Sequence, residues 1–150
     1  YSLCLEAVKN NSIALLFVPN RTEQFYKEVV VSNPIILGDI TDLNFELCLE
    51  LVKLNELALY YLPKEYQTSE FYLKVIEFNP DAMWYVPHEI FTYEFCTKAV
   101  TKNMTTFMYI PDIYKTPELC ITAVKHHLDA LLYIPDKYIT IELAKCATEL

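Results

Sequence analysis

ALLYIP (130–135) closes a series that runs through the chain: ALLFVP (14–19), ALYYLP (58–63), AMWYVP (82–87), TFMYIP (106–111) and ALLYIP itself. The last four prolines, Pro63, Pro87, Pro111 and Pro135, stand 24 positions apart. A fixed period of this length is the mark of a repeat architecture, in which each repeat is one supersecondary piece. Aligned on the prolines, the sequence divides into repeats 1–21, 22–43, 44–67, 68–91, 92–115 and 116–139, with a half repeat at 140–150. The second of these is two residues short and carries Gly38, Asp39 and Thr41 where the motif is expected; a kink, a hinge and a recognition spot are all open readings of it.

Each column of the alignment has a physical reason. The first column reads Thr22, Asn44, Thr68, Thr92, Thr116 and Thr140. All are N-cap residue types, whose side-chain oxygen accepts from an orphan backbone N–H at a helix start. Glu46, Glu70, Glu94, Glu118 and Glu142 follow two residues later, where a carboxylate is favoured by the helix dipole. Leu119, Cys120, Ala123 and Val124 typify four apolar columns that share one helical face. The twelfth column is Asn11, Asn33, Asn55, Asn79, Asn103 and His127. Asn tolerates the left-handed conformation that ends many helices, so it is expected to make the turns for which a chain with one glycine has no Gly to use. ALLYIP is then a second, shorter helix, stopped by its proline. The expected fold is all-α: an αα-solenoid, or superhelix, of about six and a half 24-residue helix-turn-helix repeats, forming a single domain over 1–150 within a longer array. One helix pair cannot bury its apolar face alone, so the repeats must stack.

Composition narrows the function classes. With 53% hydrophobic residues the chain can build a core, and its net charge of −8 gives no attraction to phosphates or to an anionic membrane surface. No apolar run approaches the roughly 20 residues of a spanning helix. Five Cys, odd in number and without CxxC spacing, read as free thiols of a reducing, intracellular compartment rather than a disulfide framework.

Ala7-Val8-Lys9, Asn11 and Ala14-Leu15, and again Ala123-Val124-Lys125 and Ala130-Leu131, fit the consensus AVKxN-x-x-ALxYxP. In these columns the chain resembles the short helical repeats catalogued as domain of unknown function 4116. It departs where that family places Gly after Asn; here stand Ser12, Pro34, Glu56, Pro80 and Met104. The resemblance implies a helical repeat fold and no particular activity.

No catalytic set emerges. Cys4, Cys48, Cys96 and Cys120 share a column and read as small buried hydrophobes. Adjacent His126 and His127 point about 100° apart on a helix and do not make a metal pair. Carboxylates fall in cap and solvent columns, and Ser is scarce. The chain is therefore read as a non-enzyme without metal, cofactor, disulfide or small-molecule substrate. One column breaks the amphipathic rule: Leu16, Gly38, Tyr60, Trp84, Met108 and Leu132 lie opposite the core face of the second helix and are mostly apolar. Either that helix is buried on both sides or Tyr60, Trp84, Met108 and Leu132 form an apolar stripe for a partner. The neighbouring column, Phe17, Tyr61, Tyr85, Tyr109 and Tyr133, reads as packing. The leading expectation is a protein- or peptide-binding scaffold, with neither nucleic acid nor membrane as partner. The alternative is a structural subunit or spacer of a larger assembly.

Overall fold

The computed structural model of the chain describes residues 1–149. Among these the secondary structure is entirely helical: seven α-helices and ten 3-10 segments, with no strand. The α-helices are α1 (Ser2–Asn10), α2 (Glu23–Val30), α3 (Phe45–Leu54), α4 (Ser69–Ile76), α5 (Tyr93–Lys102), α6 (Pro117–His126) and α7 (Ile141–Thr148). One falls in each expected repeat, and it starts where the cap column predicts. The Phe25, Leu47, Phe71, Phe95, Leu119 and Leu143 amides donate to the side chains of Thr22, Asn44, Thr68, Thr92, Thr116 and Thr140 over 2.9–3.2 Å. The apolar columns are the core: Leu119, Cys120, Ala123 and Val124 are fully buried, as are their counterparts in α5.

The second element of each repeat is a 3-10 helix, not an α-helix: Ser12–Phe17, Pro34–Asp39, Glu56–Tyr61, Pro80–Tyr85, Met104–Tyr109 and Leu128–Leu132. Seven residues between an Asn and a Pro are too few to repay α-helix nucleation, and short 3-10 runs are the usual alternative. The helix also stops before the proline, with one extended residue between (Leu62, Val86, Ile110), each buried. Pro63, Pro87, Pro111 and Pro135 instead open a third element, the 3-10 turns Lys64–Tyr66, His88–Ile90, Asp112–Tyr114 and Asp136–Tyr138. Each proline carbonyl accepts from the amide three residues on, at 2.9–3.0 Å. The first two repeats lack this turn, which accounts for the short second repeat.

The left-handed Asn turn does not occur. No described residue has positive φ. Asn55 sits at φ −152°, ψ 110°, in extended backbone, and caps the 3-10 helix by accepting from Leu57 N at 3.1 Å. Asn11, Asn79 and Asn103 do the same for Ile13, Asp81 and Thr105. The amide has a second use. Asn33 Nδ2 donates to Val8 O at 2.8 Å, and Asn55 Nδ2 donates to Val30 O at 3.0 Å and Val31 O at 3.3 Å. Val8 and Val30 lie in the last turns of α1 and α2, where carbonyls lack an intrahelical partner. Asn33 and Asn55 thus each close the helix end of the repeat before. His127 keeps half of this role: it makes no cap bond, but its Nε2 lies 2.9 Å from Thr101 O. A carbonyl only accepts, so Nε2 carries the proton.

Two compact units divide the chain, Tyr1–Phe71 and Tyr72–Leu150. In the first, α2 packs between α1 and α3, and the 3-10 segment Pro34–Asp39 packs between those of the neighbouring repeats. Gly38 sits here without positive φ; a Cβ on it would meet Tyr61 O at 3.5 Å, an ordinary contact, so no backbone demand fixes this glycine. In the second, α6 packs between α5 and α7, and Met104–Tyr109 contacts both Pro80–Tyr85 and Leu128–Leu132. The buried Thr106 takes the column of Ala82 and Ala130, its hydroxyl donating to Asn103 O. No described buried side-chain nitrogen or oxygen lacks a partner.

Candidate functional site

Residues three apart eclipse on a 3-10 helix, so each second element has three edges rather than an α-helical stripe. Ala82 and Met83, or Thr106 and Phe107, start two edges that face the core and are buried. The third edge carries the column in question, and it faces solvent. Tyr60 is 72% exposed, Trp84 77%, Met108 52% and Leu132 81%. Leu16 is exposed in the same column. Of the two readings open in the sequence, burial on both sides is excluded. Tyr60 belongs to the first compact unit. Trp84, Met108 and Leu132 stand on three successively packed segments of the second.

Within the second unit, Tyr109 anchors this edge. Its ring meets Trp84 edge-to-face, with centroids 5.5 Å apart, and its hydroxyl donates to the Asp81 carboxylate. That bond, ahead of partial desolvation, pushes the Tyr109 phenol above its ordinary value. The expected packing role holds for Tyr109, Tyr85 and Tyr133, which are half-buried. It fails for Phe17, which is 82% exposed, and for Tyr61, which is also exposed. Phe17 shares a face with Leu3, Ala7 and Ala14, around a depression of about 210 Å³. In later repeats the column of Leu3 (Phe25, Leu47, Phe71, Phe95, Leu119, Leu143) is buried. Sequence alone does not mark this face, because Leu3 matches its column; what differs is that no element covers it among the described residues.

The thiols have the character of core side chains. Burial pushes Cys48 up to about 12, and Cys96 and Cys120 up to about 11, so they carry no thiolate near neutral pH. Cys4 and Cys146 are half-exposed, and all five are free. Among the described residues no cluster of His, Cys, Asp or Glu could hold a metal ion, and no helix is long and apolar enough to cross a membrane. Glu94 and Glu77 are held by Lys98 and Lys102, which lower their carboxyl pKa values.

Comparison with protein families matches residues 44–92 to the model described as Domain of unknown function (DUF4116). The match begins at the Asn44 cap and covers the third and fourth repeats and the Thr92 cap. No curated protein and no solved structure matches the chain.

Proposed function

We propose that this chain is a protein- or peptide-binding repeat scaffold, an αα-solenoid of about six and a half 24-residue repeats, working in a reducing intracellular compartment and catalysing nothing itself. The observation that carries the reading is the exposure of Tyr60, Trp84, Met108 and Leu132 in a column that a solvated helix edge fills with polar residues. Exposed apolar rows mark interaction sites, and Trp, Tyr and Met are enriched in them. The caps, the Asn bonds and the core columns account for most of the other recurring residues. Five free thiols support the compartment.

The test compares the wild-type chain with a Trp84→Ala/Met108→Ala variant as bait in source-cell lysate, with bound proteins identified by mass spectrometry. Circular dichroism first establishes that both are helical. A partner retained by the wild type and lost from the variant supports the scaffold; identical capture by both counts against it.

A structural segment of a larger assembly is the second reading, and one observation favours it. Leu3, Ala7 and Phe17 present an apolar face, and the columns of Leu3 and Ala7 are buried in the later complete repeats. A further repeat would cover such a face. Self-association lost on Leu3→Glu, with Trp84→Ala/Met108→Ala silent, would decide for this reading.

A further inference from the structure

The three 3-10 segments of the second unit, Pro80–Tyr85, Met104–Tyr109 and Leu128–Leu132, contain no Lys, Arg or His. Their two charges are Asp81 and Asp129, both exposed. Each precedes an exposed apolar residue by three positions, Asp81 before Trp84 and Asp129 before Leu132. On a 3-10 helix that spacing puts carboxylate and apolar side chain on one edge. Tyr109 fixes the first pair, holding Asp81 through its hydroxyl and Trp84 through its ring. Four lysines of this unit pair with other carboxylates: Lys98 with Glu94, Lys102 with Glu77, and Lys115 and Lys137 with Asp112. The three segments are apolar and acidic together, with no cation among their own residues.

Resting on the scaffold reading above, we propose that this edge docks a cationic amphipathic helix. The helix lays apolar side chains on Trp84, Met108 and Leu132 and sets Lys or Arg beside Asp81 and Asp129. Packed helices lie roughly 8–10 Å apart, and seven residues of α-helix rise about 10.5 Å. One apolar residue every two turns of the ligand therefore meets successive segments. Charge complementarity selects this partner. The same carboxylates repel nucleic-acid phosphates and anionic lipid.

Trp84 is the sole tryptophan, so its emission reports on the edge directly. The probe is an 18-residue synthetic helix with Leu at every seventh position flanked by Lys; its twin carries Glu for each Lys. Titration of the full chain with the Lys probe should shift Trp84 emission, and the Glu twin should bind at least tenfold more weakly. Asp81→Asn/Asp129→Asn, which keeps an acceptor for Tyr109, should weaken the Lys probe roughly three- to tenfold, as two exposed ion pairs permit, and should not weaken the twin. Raising the salt should weaken only the Lys probe. Equal affinity for both peptides overturns the charge assignment while leaving an apolar binding edge. Lys-probe binding indifferent to the Asn variant also overturns it, by placing the peptide elsewhere. If neither peptide binds, the proposal fails, and the scaffold reading then stands or falls on the lysate experiment.

Discussion

Replacing Asn55 by Gly separates two ways of leaving a helix. Were Asn55 left-handed, Gly would relieve a strain of roughly 1–2 kcal/mol and stabilise the chain. At φ −152° and ψ 110° there is no such strain, and the substitution removes three hydrogen bonds. Loss of the cap to Leu57 costs a few tenths of a kcal/mol with Gly as the replacement. Loss of the donors to Val30 and Val31 costs about 1 kcal/mol each at most, less for the longer and more solvated second bond. The greater backbone freedom of Gly adds about 0.5–1 kcal/mol. The sum is about 2–3 kcal/mol, or a fall in Tm of about 4–12 °C for a chain of this length. Urea and thermal unfolding followed at 222 nm measure it. Asn55→Asp, which keeps the cap acceptor and loses both donors, isolates the bonds to the preceding helix and should also destabilise. An Asn55→Gly chain as stable as wild type, or more stable, refutes the account of this column.

The other expectations concern the edge, a second set of bonds between repeats, and the buried acids. Trp84→Ala should cost no more than about 1.5 kcal/mol, the worth of its edge-to-face contact with Tyr109, and Met108→Ala should lie within about 0.5 kcal/mol of wild type; a larger loss in chemical denaturation places the pair in the core. Tyr114→Phe removes the 2.8 Å bond to Phe91 O and should cost about 0.5–1.5 kcal/mol by the same measurement, as should Tyr66→Phe through Leu43 O. Stability should fall in alkali. Cys48, Cys96 and Cys120 are raised from 9.0, and Tyr26 and Tyr72 from 10.0, to about 11 or 12 in the fold. The unfolded chain releases those protons first, so their contribution is complete below pH 9 and lost between pH 9 and 12; a Tm flat from pH 8 to 10.5 contradicts this. A disulfide reagent at pH 8 should modify two thiols quickly, Cys4 and Cys146, and the other three only on unfolding, which peptide mapping resolves.

Much of the helical framework is legible from single columns. Thr92 and Thr116 announce α5 and α6 because a hydroxyl acceptor is needed there and almost nowhere else. Ala99 and Ala123 announce the core because the 3.6-residue period survives ten-residue helices. The reading weakens where one residue type serves two geometries. Asn55 is as good a left-handed residue as it is an N-cap, and only its position ahead of a second helix separates the two. A six-residue apolar stretch fits 3-10 and α periodicities equally, so the angle assigned to Trp84 could not decide its burial. The third element was invisible because Pro63 and Pro111 end and begin helices with the same φ. The exposure of Leu3 and Phe17 is not legible for a different reason: it depends on what packs against a residue, and the side chain alone does not carry that information.

The ordinary backbone of this chain has an evolutionary corollary. A turn that depends on mirror-image dihedrals admits little besides glycine, so its codon is frozen. Here every described turn uses conformations open to any L-amino acid, and what each position demands is a hydrogen-bonding atom at a given reach. Drift can then exchange one donor for another without rebuilding the chain's path. His127 is such an exchange, an imidazole nitrogen in the place of a carboxamide. Families built this way can diverge until little but the spacing of their caps and prolines identifies them.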